Sequence, residues 1–256
     1  MSLGLVGGLD PTGGAGLLRD AWTAQSLAPS LPVRCVATAL TEQGRRRNAA
    51  RARATDQAVL EAHLRRLSPT RVAKIGLVPS SISDVVATWS STFAGVMVLD
   101  PVRAASEGGD LGTSASGYLS AICGQTLLTP NLPEAQWLSG SERRGASLLQ
   151  ALAGRCGARW ILLKDGHGAD PDWVADLWWD AGEITELRRP RCPGGEVRGT
   201  GCALGTAIAV GLAQGATPLD AVRTAVTWLD RERVRARSRS AGARHLPVPR
   251  SRQVRS

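Results

Sequence analysis

The 256 residues are 43% apolar, enough to bury one sizeable core, and no uninterrupted apolar run is long enough to span a membrane. The formal charge of +9 is almost wholly arginine, and nine arginines against one acid, Glu232, fall between Arg231 and Arg255, so the basic character belongs to a terminal run without interleaved aromatics rather than to a nucleic-acid face. The five cysteines, Cys35, Cys123, Cys156, Cys192 and Cys202, are odd in number and widely spaced, which argues against a disulfide framework or a structural zinc site.

Taken in chain order, short apolar runs alternate with amphipathic stretches. A strand is predicted at Leu3 to Val6, a helix at Gly16 to Leu27, a strand at Val33 to Leu40 and a helix at Thr55 to Leu67. Then come strands at Arg71 to Ile75 and Gly95 to Leu99 around a helix at Ser80 to Trp89, and a helix at Thr113 to Ile122 before a strand at Thr126 to Leu128. A helix at Ala146 to Cys156, a strand at Trp160 to Lys164, and an antiparallel pair at Trp173 to Trp179 and Glu183 to Arg188 follow. Helices at Cys202 to Ala213 and Pro218 to Arg233 close the pattern. This alternation predicts an α/β fold with a mostly parallel sheet, a domain over residues 1–229, and a largely disordered arginine-rich tail over 230–256.

In open sheets of this kind ligands collect at the carboxyl ends of the strands. The loops Gly7 to Gly16, Thr41 to Arg47, Asp100 to Asp110, Thr129 to Glu134 and Gly194 to Gly201 fall there. The segment Arg198-Gly199-Thr200-Gly201-Cys202-Ala203-Leu204-Gly205 opens a helix with two glycines, so successive amides can converge on an anion at the positive helix end. A glycine-rich helix cap without a ligand is the plainer alternative; the segment fits neither a Walker loop nor a dinucleotide fingerprint. Gly7-Gly8-Leu9-Asp10-Pro11-Thr12-Gly13-Gly14-Ala15-Gly16 brings the main chain close to any bound ring, and Asp20 follows one turn into the next helix. Asp20 reads equally as an acid favoured by the helix dipole.

These segments, with Thr38-Ala39-Leu40-Thr41-Glu42-Gln43, Ala73-Lys74-Ile75-Gly76-Leu77, Leu99-Asp100-Pro101-Val102 and Thr129-Pro130-Asn131-Leu132-Pro133-Glu134-Ala135, resemble in order and spacing the hydroxymethylpyrimidine/phosphomethylpyrimidine kinase family. The resemblance covers roughly residues 3 to 229. It implies a three-layer ribokinase-like fold with helices on both faces of the sheet, and it implies ATP and Mg2+ as cofactors.

Residue by residue, the resemblance implies that Gly8, Asp20, Gln43 and Val102 surround the substrate ring, with Asp20 and Gln43 hydrogen-bonding it. Asn131 and Glu134 would stand near magnesium and the phosphates, with Asp100 assisting at the metal. Lys164 would lie on the phosphate path, and Lys74 matches the lysine of the family's Lys-Ile-Gly segment. Gly199, Thr200 and Gly201 would form the anion hole, and Thr200 would also touch the nucleotide. Cys202 stands where many ribokinase-like enzymes carry an aspartate base, and a thiol at a helix N-terminus can have its pKa lowered, so a thiolate base is an expectation here.

The only two lysines of the chain, Lys74 and Lys164, both lie in these segments at predicted strands, where a compact ammonium would suit a site too narrow for guanidinium. Five positions depart from the family pattern: Arg198 replaces a histidine, Asp165 a glycine, Gly44-Arg45 a polar pair and Arg103 a methionine. Asp165 would put negative charge near the phosphate route, to be offset by Arg198 and Arg103 if they face the same cavity. The implied reaction is phosphorylation of 4-amino-5-hydroxymethyl-2-methylpyrimidine and its monophosphate. A pyridoxal kinase and a non-catalytic pyrimidine-binding relative remain as alternatives. The partner expected is a small molecule rather than nucleic acid or membrane, a homodimer is left open, and Met1 to Gly8 lacks a leader pattern, so a cytoplasmic location is expected.

Overall fold

The computed structural model describes residues 2–42, 50–105, 109–165, 168, 170–192, 197–238 and 244–248. The chain runs through β1 (Leu3–Leu9), α1 (Gly16–Leu27), β2 (Val33–Glu42), β3 (Arg51–Ala54), α2 (Gln57–Arg65), β4 (Val72–Ile75), α3 (Ser83–Thr92), β5 (Val96–Leu99), α4 (Ala115–Ala121) and β6 (Thr126–Leu128). It continues through α5 (Leu132–Ser139), α6 (Gly145–Cys156), β7 (Trp160–Leu163), β8 (Trp173–Asp180), β9 (Glu183–Pro190), β10 (Val197–Arg198), α7 (Thr200–Ala213), α8 (Pro218–Arg235), β11 (Arg237–Ser238) and β12 (Arg244–His245). Nine strands form one sheet in the order β3-β2-β1-β4-β5-β6-β7-β8-β9. The six central strands β2, β1, β4, β5, β6 and β7 are parallel, while β3, β8 and β9 are antiparallel at the two edges.

Both faces of the sheet are covered because successive strand residues point to opposite sides and both sides are apolar. Leu5, Val72, Val98, Leu127 and Leu162 turn toward α1, α7 and α8, whose Leu17, Ala24, Ile208, Val222 and Ala225 are buried with them. Their neighbours Val6, Ala73, Met97, Leu128 and Ile161 turn toward the other layer, against Leu60, Val86, Tyr118, Leu138 and Leu149 of α2 to α6. Truncating any of these leucines to alanine costs about 2–5 kcal/mol, so the three layers hold together from both sides.

The predicted strands and helices fall where expected within a few residues, with three differences. The segment expected as a loop up to Glu134 becomes α5, whose Asn131 side chain accepts from the Glu134 amide while the Glu134 carboxylate accepts from the Asn131 amide. Pro133 is tolerated because it sits in the first helical turn, where its missing N–H costs nothing. The strand β3 escaped notice because it is an edge strand of alternating arginine and alanine, without the apolar period of a half-buried strand.

The third difference concerns the tail. The boundary expected at residue 229 falls inside α8, which runs on to Arg235, and the arginine-rich stretch beyond it holds β11 and β12. β12 pairs in parallel with β10 and antiparallel with β11. Two apolar residues set among the arginines explain the order: Ala236 and Leu246 are buried in the core shared by α7 and α8. The Arg244 guanidinium donates to the carbonyls of Arg233 and Ala236. Residues 239–243 and 249–256 of the expected tail lie outside the described residues.

Candidate active site

The loop after β1 is folded by one buried carboxylate. Asp10 Oδ1 accepts from the Thr12 amide at 2.9 Å and the Thr12 hydroxyl at 2.8 Å, while Oδ2 accepts from the Ala15 amide at 3.1 Å and from Arg198 Nη2 at 3.1 Å. Gly16 has φ +61°, and a Cβ there would run into the Gly8 carbonyl oxygen. Gly199 has φ +80°, and a Cβ there would run into the carbonyl oxygen of Gly14. Only glycine meets both demands at these positions, and the result is two backbone loops in direct contact. Gly8 is buried in this junction and has room for no side chain, since a Cβ would strike Leu77.

Gly199, in the left-handed conformation, caps α7, and Thr200, Gly201 and Cys202 form its first turn. Helix amides at such an end have no intrahelical acceptor, and the dipole adds positive potential. Gly201 faces the charges across the cleft: a Cβ there would lie 3.5 Å from Asp100 Oδ2 and 3.8 Å from Lys164 Nζ. Asp100 follows β5, Thr129 follows β6, and Lys164 follows β7 in a bridge with Asn131. Lys164 Nζ donates to Asp100 Oδ1 at 3.0 Å and stands 3.9 Å from Glu134 Oε2, and the Thr129 hydroxyl donates to Asp100 Oδ1 at 3.3 Å. Adjacent parallel strands thus deliver Asp100 and Lys164 to the start of α7, and α5 brings Glu134 up to Lys164.

Their protonation follows from this crowding. Burial by itself favours the neutral Lys164 amine, but the Asp100 and Glu134 carboxylates outweigh it and hold the ammonium charged. Burial pushes the Asp100 carboxyl up, yet Lys164 and then Lys74 pull it below its ordinary value. Glu134 goes the other way: burial dominates over Lys164, Asp100 adds repulsion, and its carboxyl is pushed up to about 7. An acid whose folded pKa exceeds its unfolded value stabilises the fold in its protonated form, and that contribution is lost as pH rises through the folded value. Between about pH 4.5 and 7 the metal-free protein is therefore expected to lose stability with rising pH through this group. Glu134→Gln should flatten that dependence in denaturant titrations run across the window; an unchanged slope would show that Glu134 titrates normally.

Asp20 lies deeper than the loops around it. It is 0% exposed, and both its oxygens are taken: Oδ2 by Lys74 Nζ at 2.8 Å and Oδ1 by the Thr206 hydroxyl at 2.8 Å. So held, Asp20 ties α1, β4 and α7 together beneath the site. Burial raises its carboxyl against the pull of Lys74. Lys74 is equally buried, and although burial favours the neutral amine, the Asp20 and Asp100 carboxylates keep it an ammonium.

Cys202 sits close by, at the start of α7. Burial, opposed by Lys74 and by a Gly16 backbone hydrogen bond but reinforced by Asp20 and Asp100, pushes the thiol up to about 11, so the helix end does not create a thiolate. Cys202→Ser is accordingly expected to retain turnover within about a hundredfold of the parent, less than a general base's full contribution, in steady-state assays. A loss several orders larger would restore a thiolate role.

Other expected residues fall into place differently. Asn131 spends its side-chain oxygen on the α5 cap, so of the Asn-x-x-Glu element only Glu134 turns a charge toward Lys164. Val102 is partly exposed, with its amide and carbonyl bonded to the Tyr118 hydroxyl. Gln43, with Gly44-Arg45, lies outside the described residues. Asp165 does not face the phosphate route: its carboxylate accepts from the Ala175 amide at 3.3 Å and fastens the start of β8. Arg198 and Arg103 do not meet it either, since Arg198 reaches Asp10 and Arg103 acts on Glu134.

Asp10, Thr129, Thr206 and Arg19 were missed. Asp10 had a signal, because Asp-Pro-Thr-Gly is a side-chain-to-backbone turn sequence. Thr129 and Thr206 carry no local mark, since their partners come from distant segments, and Arg19 joins its neighbours Gly13 and Trp22 to the far Pro247 carbonyl.

A family model described as phosphomethylpyrimidine kinase matches residues 10–249. A hydroxymethylpyrimidine/phosphomethylpyrimidine kinase of Streptomyces coelicolor is 33% identical over 239 residues, covering 88% of this chain and 85% of that protein. The kinase of the same description from Mycobacterium bovis is 37% identical over 174 residues, and the match spans 62% of this chain and only 61% of the relative. Among solved structures, a pyridoxal kinase of Staphylococcus aureus in complex with AMP-PCP and pyridoxal superposes with TM-score 0.82 at 20% identity over 96% of this chain and 93% of that one. A phosphomethylpyrimidine kinase of Clostridium difficile superposes with TM-score 0.72 at 20% identity, covering 90% and 98%. These structures share the fold, ribokinase-like as expected. With its matching family model and its close relatives in sequence, the chain belongs to the phosphomethylpyrimidine kinase family.

Proposed function

We propose that this chain transfers the γ-phosphoryl group of ATP to the hydroxymethyl oxygen of 4-amino-5-hydroxymethyl-2-methylpyrimidine, and then phosphorylates the monophosphate, in thiamine biosynthesis. The observation that carries this reading is that the first turn of α7 meets Asp100 and Lys164, which lie 3.5 and 3.8 Å from where a Cβ on Gly201 would stand. Phosphoryl transfer passes through a loose transition state and asks mainly for positioning and charge neutralisation. The amides of Gly201 and Cys202 would receive the oxygens of the phosphoryl group in flight, Thr200 would touch the nucleotide, and the Lys164 ammonium would balance the charge that builds there. The ring would lie against the loop of Gly8 and near Val102, with Gln43 still assigned to hydrogen-bond it. A strong base is not needed in such a reaction, which suits a Cys202 thiol that stays protonated.

The donor set fits magnesium. Asp100 and Glu134 offer oxygen only, and both stand beside Lys164. That is the pattern of a hard cation that takes one or two carboxylates and completes its shell with phosphates and water. Bound there, magnesium would neutralise phosphate charge; Lys164 would keep the two carboxylates apart in the free protein.

The relevant measurement is ATP consumption by the purified protein with the pyrimidine alcohol, its monophosphate and pyridoxal in parallel. Turnover of the two pyrimidines is expected to exceed that of pyridoxal. Preference for pyridoxal would favour the other reading, to which the fold likeness to a pyridoxal kinase lends a scaffold. Binding of the pyrimidine without ATP consumption would make this a non-catalytic relative. A cytoplasmic location belongs to the same reading, and among the described residues no helix is long and apolar enough to cross a membrane.

A further inference from the structure

We propose that the C-terminal segment around Leu246 and Pro247 is part of the transfer apparatus, and that Arg19 is the positioning residue that connects it to the glycine loop. The inference rests on the phosphotransfer reading of that loop. Arg19, on α1, is 2% exposed and is among the largest fully buried side chains of the protein. A guanidinium carries its charge at any physiological pH and presents donors in a rigid fork, so its burial demands acceptors on more than one side. Nη2 donates to the Gly13 carbonyl at 3.2 Å, and Nη1 donates to the Pro247 carbonyl at 2.9 Å.

The same guanidinium lies over Trp22, 5.3 Å from the ring centroid. Gly13, at φ +68°, sits directly on that indole, where a Cβ would collide with it. The stem of Arg19 also runs beside the anion loop: a Cβ on Gly199 would lie 3.4 Å from Arg19 Cγ. Arg19 and Trp22 therefore form a floor on which both glycine loops rest, and one edge of that floor is the Pro247 peptide.

The anion loop depends on the same segment by a second route. β10, which carries Arg198, pairs with β12, registering Val197 opposite Arg244 and Arg198 opposite His245. Leu246 follows at once and is buried in the core. Arg198 in turn binds Asp10, the residue that folds the substrate loop. Residues 244–248 thus brace the anion loop through a strand pair and the substrate loop through Arg19. Loosening them should misplace both loops without touching Asp100, Lys164 or Glu134.

The test uses two full-length variants, Arg19→Lys and Leu246→Glu. An ammonium cannot fork to both carbonyls, and a glutamate at 246 cannot remain in the apolar core. Hydrogen exchange is followed by mass spectrometry in the absence of substrates, and KM and kcat are measured with the pyrimidine alcohol. Both variants should exchange faster over residues 12–19 and 197–203 while α6 and β7 keep the parent's protection, and KM should rise about tenfold to a hundredfold. Unchanged exchange over those loops in Leu246→Glu would overturn the proposal. So would equal acceleration throughout the chain, which marks a general loss of stability. If the parent protein turns over no pyrimidine, the phosphotransfer reading fails separately, and the exchange data still decide whether the segment braces the loops.

Discussion

Gly201→Asp is expected to abolish turnover, lowering kcat/KM by about a thousandfold or more while the pyrimidine alcohol still binds. The backbone accepts the change, because Gly201 lies in the first turn of α7 and a Cβ there meets Asp100 Oδ2 at 3.5 Å and Lys164 Nζ at 3.8 Å, ordinary contact distances. The carboxylate is what the site cannot accept. It would occupy the space into which the helix amides point, compete with Asp100 for Lys164, and repel phosphoryl oxygens. Two unit charges about 4 Å apart at an effective dielectric near 20 interact by about 4 kcal/mol, which corresponds to roughly three orders of magnitude in rate. Gly201→Ala, with the same Cβ and no charge, should lose far less. Steady-state phosphate transfer and calorimetric binding of the pyrimidine separate the two effects. Full activity in Gly201→Asp would move the transfer site elsewhere.

The framework of the fold was legible because it is written in local period. The strand at Thr126–Leu128 has the ends that Gln125 and Thr129 announce, and the helix at Gly16–Leu27 starts out of a glycine-rich loop and stops just before Pro29. The convergence of Asp100, Glu134 and Lys164 was legible only through the family's motif order, since each follows a different strand and nothing local relates them. Local sequence does not show where burial and distant partners act on a side chain. Asp20 sits where a helix favours an acid, but Lys74 and Thr206, 54 and 186 residues away, claim its oxygens. Cys202 occupies the helix position that lowers a thiol's pKa, but loss of water around it raises the pKa more. In the tail the arginines signal a solvated chain, while Ala236 and Leu246, set among them, are buried in the core.

The buried Asp20–Lys74 pair yields the largest effect on stability. Lys74 Nζ and Asp20 Oδ2 are 2.8 Å apart, with side chains 1% and 0% exposed. Removing one partner strands the other charge away from water, which typically costs about 3–5 kcal/mol. Asp20→Asn and Lys74→Met should each lower the thermal midpoint by roughly 10 °C, at about 2–4 °C per kcal/mol for a chain near this size. Removing both charges at once is a different matter, because the desolvation that opposes the pair disappears along with its attraction. In Asp20→Asn/Lys74→Met the amide can still accept from Thr206, and most of the lost stability should return. Activity should not return with it, since the Lys74 ammonium also stabilises the ionised Asp100 beside Gly201. A thermal-denaturation cycle across the four proteins, read beside their turnover, separates the two roles. If the losses of the single variants simply add in the double variant, the two groups act independently, and the view of them as one charge-balanced brace beneath α7 fails.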